Sequence, residues 1–429
     1  MKKLALVICL SLCLFSLPFS SRAAAEGSTP GNAAPNVIPN IQQWTGGQGD
    51  FLLGDFGRIC YDDASLLDVA EVLSEDLAGF TRIVHSVVSS SAPQAGDIYL
   101  TLQCSDISLG EEGYIAEIGD SFTVRGRSPA GVFYGTRTLL QILRQDPAYR
   151  TAPRGTIRDF PKLQIRSFML DVARKYFTED YLVNYVKQLA WLKYNELHLH
   201  LTDDQGFRLK SDVYPIVSSE QGYDKVFIRQ LQDIAARYFI DIVPEIDLPG
   251  HASAIVRAYP ELGHAPGTAL NPDKPGLRPI DLSKDASYEF AKAVLDEWVP
   301  LFDSEYFHIG GDEYPGYGAG EGLNNLLKQY PELLAKARSL GMQTEADLFY
   351  YFLNTMGDYV ETKYGKTARF WEWAERFEPY TSIDLENDMI FDAWEGPEAI
   401  SRSQQGFKIF NSNWKSTYIV PGTNMYPDM

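Results

Sequence analysis

The sequence predicts an α/β protein in which a small α+β domain precedes a (β/α)8-type TIM barrel that lacks its last β/α unit. From residue 161 onward, apolar strand-like runs alternate with amphipathic helical segments, a pattern typical of a parallel sheet covered by helices. The length of this region is close to the roughly 250 residues of one barrel. No glycine-rich phosphate loop follows the first strand, which disfavours the alternative of a doubly wound open sheet.

The first 25 residues are predicted to be a secretory signal peptide. Lys2 and Lys3 precede an apolar run that ends near Phe19, and an Ala-Ala-Ala cleavage-type sequence follows. The run is shorter than the roughly 20 apolar residues of a membrane span, and no later stretch approaches that length. We therefore expect a secreted protein, extracellular or periplasmic, with no membrane span in the mature chain. Residues 26–36 are predicted to be a flexible leader, because they are rich in Gly, Pro, Ala and Asn.

Composition and charge narrow the class of partner. The chain is 45% hydrophobic and 22% charged, as in ordinary globular proteins, and its formal net charge is −19. Such an acidic chain repels phosphate backbones, so nucleic acid is not an expected partner. Outside the predicted signal peptide only Cys60 and Cys104 remain, and the sequence is compatible either with one disulfide or with two free thiols.

Residues 37–155 are predicted to form the small α+β domain. One helix is expected over about Ser65–Leu77, and a second begins after the N-cap Ser128 and ends near Leu143. The segment Thr151–Pro161 is predicted to be a linker, because it contains turn-forming residues. The predicted strands are Thr81–Val88, Asp97–Gln103, Gly113–Ile118 and Ser121–Arg125.

Residues 161–429 are predicted to form the barrel, in which we identify seven strands and no eighth. The barrel is therefore expected to be truncated at its C-terminal end. The predicted strands are Ile165–Asp171, Asn195–Thr202, Ile240–Ile246, Tyr306–Gly310, Ala368–Trp373, Met389–Trp394 and Phe407–Ser412.

Carboxylates and aromatic rings collect just beyond these strands, where the active sites of barrels lie. Cleavage of a glycosidic bond needs a carboxylic acid for the leaving oxygen and a negative group near the anomeric carbon. The pair Asp312-Glu313 is the best candidate, because neighbouring carboxylates raise each other's proton affinity. The other polar candidates at this rim are Asp203, Asp204, Asp247 and His251, and the aromatic ones are Trp371 and Trp394.

Two other functions fit parts of this pattern. A metal-dependent amidohydrolase would use His198 and His200 as ligands, together with His251 and His308. Such barrels usually carry their His-x-His pair on the first strand, whereas here the pair is on the second. We therefore expect neither a metal nor an organic cofactor. A non-catalytic sugar-binding protein with the same aromatic pocket is the second alternative.

Four blocks of sequence, in the same order, resemble glycoside hydrolase family 20. They are RSFMLDVAR (166–174), HLHLTDDQG (198–206), PEIDLPGH (244–251) and HIGGDE (308–313). The resemblance covers the barrel, and residues 37–155 resemble the small domain that precedes the barrel in this family.

The resemblance implies an activity and a mechanism. The family contains β-N-acetylhexosaminidases, lacto-N-biosidases and dispersin-like enzymes. The implied reaction removes terminal β-linked N-acetylhexosamine (GlcNAc or GalNAc) from glycans, with a lacto-N-biosidase or a dispersin-like poly-GlcNAc hydrolase as alternatives. In this retaining mechanism the substrate's own 2-acetamido group replaces the protein nucleophile. By resemblance, Glu313 is the general acid and base, and Asp312 orients the acetamide and balances its developing charge.

The resemblance also implies roles for the residues around this pair. Asp247, His251 and one of Asp203 or Asp204 would form a relay behind the acid. Arg166 would bind sugar hydroxyls through its forked donors. Trp371 and Trp394 would wall the acetamide pocket, and Tyr418 would hold the acetamide oxygen. Val420 stands where many members have an aspartate that contacts the outer hydroxyls, which leaves the exo specificity open.

Overall fold

The computed structural model describes residues 31–272, 278–316, 320–394, 397–413 and 416–420. The predicted signal peptide and residues 26–30 of the predicted leader lie outside this range. So do residues 421–429. Within the described helices, none is long and apolar enough to cross a membrane.

The small domain is built on one mixed sheet of seven strands in the order β1-β7-β5-β6-β4-β2-β3. The strands are β1 (Gln43–Leu52), β2 (Ile59–Tyr61), β3 (Val87–Ser89), β4 (Ile98–Thr101), β5 (Tyr114–Ile118), β6 (Phe122–Gly126) and β7 (Thr151–Asp159). Two helices, α1 (Leu67–Thr81) and α2 (Pro129–Leu143), pack against this sheet and against each other. The predicted N-cap is confirmed, because the Ser128 hydroxyl accepts a hydrogen bond from the Gly131 N–H at 3.4 Å.

The prediction of a linker at Thr151–Pro161 is wrong. Most of this segment is β7, which pairs with β1 on one side and with β5 on the other. Its proline is accommodated because Pro153 lies opposite Asp50, beside an irregularity in the register with β1. The predicted strand at Thr81–Val88 is also wrong over most of its length, since Thr81 still belongs to α1. Cys60 and Cys104 are both free thiols, so no disulfide joins them.

The predicted barrel is confirmed as a curled parallel sheet in the order β14-β13-β12-β11-β10-β9-β8-β15. Its strands are β8 (Ser167–Asp171), β9 (Glu196–His200), β10 (Asp241–Glu245), β11 (Tyr306–His308), β12 (Thr367–Trp371), β13 (Ile390–Ala393), β14 (Lys408–Asn411) and β15 (Tyr418–Ile419). The last of these is an eighth strand, so the prediction of seven strands and no eighth is wrong. It has two residues, which is too short to show a recognisable pattern, and it pairs with Met169 and Leu170 of β8.

Helices connect the strands and cover the barrel. They are α3 (Glu179–Trp191), α4 (Lys225–Arg237), α5 (Ser253–Ala258), α6 (Asp285–Trp298), α7 (Gly320–Leu327), α8 (Pro331–Ser339), α9 (Asp347–Tyr364) and α10 (Pro397–Gln404). The apolar face of α3 is buried, including Leu182, Val186 and Leu189. Because the barrel strands run in parallel, the residues that follow them meet at one rim.

Candidate active site

The turn after β11 brings Asp312 and Glu313 into the same opening. In a regular strand adjacent side chains would point to opposite faces. Here the backbone leaves the strand at Gly310 with φ +77°, and Glu313 itself adopts φ +49°. A Cβ at Gly310 would lie 2.0 Å from Asp247 Oδ1, so only glycine fits at this position. The local sequence therefore places both carboxylates at the carboxyl end of the barrel.

His251 connects this pair to the carboxylates that follow β9. Its Nε2 lies 3.0 Å from Glu313 Oε2 and 3.3 Å from Asp312 Oδ2. Its Nδ1 lies 3.3 Å from Asp203 Oδ1 and 3.6 Å from Asp204 Oδ2. Asp204 Oδ1 accepts a hydrogen bond from the Ser253 N–H at 2.9 Å, which fastens the loop after β10. Of the two aspartates, Asp203 is therefore the better relay carboxylate.

The exposed fraction of the side chains falls from the carboxyl end of the barrel towards its interior. The side chain of Glu313 is 20% exposed and that of Asp312 is 11% exposed, whereas His251 is 1% exposed. Within this cluster, Asp312 and Glu313 are thus placed to touch a substrate, and His251 acts from behind them.

Neighbouring charges determine the protonation of the buried groups. Burial alone would raise the pKa of Asp203, but His251, His200 and Arg174 outweigh burial and hold this pKa well below its usual range. Burial would lower the pKa of His251, but Asp203 and Asp312 raise it well above its usual value. Burial likewise opposes ionisation of Asp312, yet His251 lowers its pKa. The cluster therefore holds a cationic His251 between anionic carboxylates.

Asp247 differs from the other carboxylates of the site. Burial and the nearby charge of Asp312 raise its pKa well above the usual range. Its Oδ1 accepts the Gly311 N–H at 3.1 Å, and its carboxyl has an oxygen within 4.8 Å of a carboxyl oxygen of Asp312. Asp247 is thus the protonated partner of an ionised Asp312, which keeps one negative charge at the opening rather than two.

The assignment of Arg166 to the sugar site is wrong. Arg166 precedes β8, at the opposite end of the barrel from Asp312, and its Nη1 lies 2.7 Å from Glu112 of the small domain. Arg174, which follows β8, is the arginine at the correct rim. Its Nη1 lies 2.7 Å from Asp171 Oδ2, and its Nη2 lies 2.9 Å from Asp203 Oδ2. The position relative to the strand was the signal that distinguishes the two arginines.

Two predicted aromatic residues meet at the ends of neighbouring strands. Trp371 ends β12 and Trp394 follows β13, and their ring centroids lie 5.6 Å apart. The Trp371 Nε1–H donates to Glu245 Oε1 at 2.6 Å, which fixes the orientation of the ring. Tyr418 begins β15, beside Met169 of β8, but its side chain lies outside the described residues.

Three histidines of the metal-dependent alternative, His198, His200 and His308, face the carboxylate of Glu245. His200 Nε2 lies 2.9 Å from Asp203 Oδ2, and its Nδ1 lies 2.8 Å from Glu245 Oε2. His198, Glu245 and His308 place ligand-type atoms within 4.8 Å of one another. However, His308 Nδ1 accepts the Gly310 N–H at 3.1 Å, and its Nε2 lies 3.0 Å from Asp392 Oδ2. Both of its nitrogens are thus occupied, which argues against this alternative.

Comparison with known proteins gives one consistent result. Residues 164–426 match the family model described as glycosyl hydrolase family 20, catalytic domain, and residues 34–160 match domain 2 of the same family. A β-hexosaminidase of Porphyromonas gingivalis is 30% identical over 77% of this chain and 44% of its own length. A lacto-N-biosidase of Bifidobacterium bifidum is 29% identical over 86% of this chain and 34% of its own length. The chain therefore spans less than half of either relative.

A solved structure supports the same result. The exo β-N-acetylglucosaminidase of Vibrio harveyi, in complex with N-acetylglucosamine, superposes with a TM-score of 0.75 at 25% identity. The match covers 90% of this chain and 61% of that one. It includes both the small domain and the barrel, because neither alone accounts for so much of the chain.

Proposed function

The chain belongs to glycosyl hydrolase family 20, and on that premise we propose that it is a retaining β-N-acetylhexosaminidase that removes terminal β-linked GlcNAc or GalNAc from glycans. One observation carries the proposal. Asp312 and Glu313 share a single opening, and the buried His251 lies within 3.3 Å of both. This geometry supplies an anion and a proton donor side by side, as hydrolysis of an acetamido sugar requires.

In the first step the substrate provides its own nucleophile. Ionised Asp312 accepts a hydrogen bond from the acetamide N–H, which increases the electron density on the carbonyl oxygen. That oxygen attacks the anomeric carbon, the bond to the leaving oxygen breaks, and Glu313 donates a proton to the leaving group. The product is a cyclic oxazolinium ion, whose positive charge Asp312 balances.

In the second step Glu313 acts as a base. Its carboxylate takes a proton from a water molecule, which attacks the anomeric carbon and restores the acetamide. Two displacements at the same carbon leave the β configuration unchanged. His251 stays cationic between Asp203 and Glu313, so it stabilises the carboxylate form of Glu313 between the steps.

The residues around Asp312 and Glu313 bind the sugar. We propose that Arg174 binds sugar hydroxyls, because it follows β8 at the same rim and Asp171 and Asp203 hold its guanidinium in place. Trp371 and Trp394 supply apolar surfaces for the ring or the acetamide methyl group. Tyr418 is retained as a proposed acetamide ligand on the basis of the sequence resemblance.

The test compares substrates that differ only at carbon 2. The wild-type protein should hydrolyse an aryl β-N-acetylglucosaminide and leave the matching aryl β-glucoside intact. Asp312→Asn should lower kcat by about 10²–10³-fold, and Glu313→Gln should abolish hydrolysis. Asp388→Asn, an exposed aspartate, is the matched control and should keep wild-type kinetics. Normal turnover by Asp312→Asn would contradict substrate assistance, and binding of GlcNAc without any turnover would favour the sugar-binding alternative.

The preferred glycan is a second question, for which one relative suggests a lacto-N-biosidase and the sequence resemblance suggests a dispersin-like poly-GlcNAc hydrolase. The relative from Bifidobacterium bifidum is a lacto-N-biosidase, and Val420 occupies the position where an aspartate would restrict the outer hydroxyls. A panel of aryl β-glycosides of GlcNAc, GalNAc, lacto-N-biose and a poly-GlcNAc oligomer separates these activities by kcat/KM.

We further propose that residues 1–25 direct export and that the mature protein meets its glycan outside the cytoplasm. The charged and apolar organisation of that segment supports export. The net charge of −19 argues against a nucleic-acid partner.

A further inference from the structure

His200, the last residue of β9, lies between two buried carboxylates. Its Nε2 is hydrogen-bonded to Asp203 Oδ2 at 2.9 Å, and its Nδ1 lies 2.8 Å from Glu245 Oε2. A neutral imidazole has one N–H and can satisfy only one of these oxygens. His200 is 2% exposed, and both of its ring nitrogens face anions. The ring is therefore an imidazolium.

The two carboxylates around His200 connect different parts of the molecule. Glu245 belongs to the barrel interior, where it accepts the Trp371 Nε1–H. Asp203 belongs to the relay, where it faces His251 and Arg174. A row in which carboxyl groups alternate with imidazoles therefore runs from the interior to the opening, and its members are Glu245, His200, Asp203, His251 and Glu313.

We propose that His200 is a positioning residue of the hydrolysis: as a permanent cation it keeps Asp203 anionic and so holds His251 against Glu313. This inference rests on the proposed function, because it assumes that Glu313 is the acid and base. It goes beyond the relay of Asp203 and His251 by assigning a role to a side chain that does not reach the substrate.

The charges that face His200 from each neighbouring element favour its cationic form. Glu245 on β10, Asp171 on β8 and Asp203 after β9 outweigh burial and raise its pKa well above the usual value. Arg174 and His251 also face Asp203, so Asp203 keeps two positive partners when His200 is neutralised. Loss of His200 is therefore expected to weaken the relay rather than to remove it.

The test uses His200→Gln, which keeps a donor near Asp203 without its charge. Removal of a buried positive charge makes the catalytic acid lose its proton less readily. The alkaline limb of the kcat/KM profile should therefore move to higher pH, by about one unit for a charge acting across the relay. Because His251 is held less firmly, kcat should also fall by about tenfold while KM changes little.

His198→Gln is the matched control. His198 lies two residues earlier on β9, and its Nε2 lies 3.0 Å from the same oxygen of Glu245. Its substitution should leave the alkaline limb where it is in the wild type. If His200→Gln does not fold, the pair His200→Gln with Glu245→Gln removes both buried charges and should still shift the limb upward. An unshifted limb in a folded His200 variant would overturn the inference while leaving the proposed function intact.

A second measurement does not depend on turnover. The chain has six histidines, so their ring ¹⁵N signals can be assigned by single substitutions. The His200 ring should remain doubly protonated across the pH range in which an ordinary histidine, with a pKa of about 6.5, loses its proton. A His200 ring that becomes neutral within this range would overturn the inference, whether or not the protein hydrolyses the aryl substrate.

Discussion

At the scale of single residues, the charge state of each carboxylate in the site depends on the charges of its immediate neighbours. Asp203, which follows β9, has three cationic neighbours and is kept ionised, whereas Asp247, which follows β10, lies beside another carboxylate and keeps its proton. Both are aspartates beyond parallel strands, so their environments alone produce the difference. The two arginines that flank β8 differ instead in the end of the strand at which each lies.

The two arginines give a direct kinetic comparison. Arg174→Lys keeps the positive charge but loses the planar guanidinium, whose several N–H donors can contact a sugar hydroxyl and two carboxylates together. The KM should therefore rise by about tenfold. Arg166→Lys should leave KM unchanged and slightly lower the melting temperature, because the ion pair with Glu112 joins the two domains. Steady-state kinetics and thermal unfolding of both variants test this. A raised KM in Arg166→Lys alone would restore the original assignment of Arg166.

At the scale of elements, short-range signals predicted helices better than strands. The bounds of α2, Pro129–Leu143, could be predicted because its cap and its first-turn proline are local features. β7 could not be recognised, since its proline and glycine resemble a linker and only pairing with β1 and β5 makes it a strand. β15 was missed because two residues carry no pattern.

The turn after β11 is the element on which the site depends most. Gly310→Ala would force a Cβ to within 2.0 Å of Asp247 Oδ1 at a φ of +77°. The backbone or Asp247 must then move, so kcat should fall by at least about tenfold through displacement of Asp312 and Glu313. Gly316→Ala, where a Cβ meets no atom within 4 Å, is the control in the same loop and should behave like the wild type. Full activity in Gly310→Ala would show that the turn does not set the geometry.

At the scale of the whole molecule, the barrel and the small domain share charged contacts. Lys193 after α3 lies 2.8 Å from Asp159 Oδ2 at the end of β7, and Arg166 faces Glu112. Inside the barrel, Arg369 on β12 lies 2.8 Å from Glu196 of β9 and 3.0 Å from Asp392 of β13. The order of the β-α units and the carboxylates at the rim could be predicted from the sequence. These charged contacts could not, because they depend on strand register and domain packing, which the pattern of a single sequence does not contain.

The central claim is that the substrate's acetamide oxygen is the nucleophile. Aryl β-glycosides whose 2-acetamido methyl group carries zero, one, two or three fluorine atoms test it most directly, because each fluorine withdraws electrons from that oxygen. We expect kcat/KM of the wild-type protein to fall steeply and continuously along the series. A kcat/KM that is independent of fluorination would contradict substrate assistance and would require a protein nucleophile.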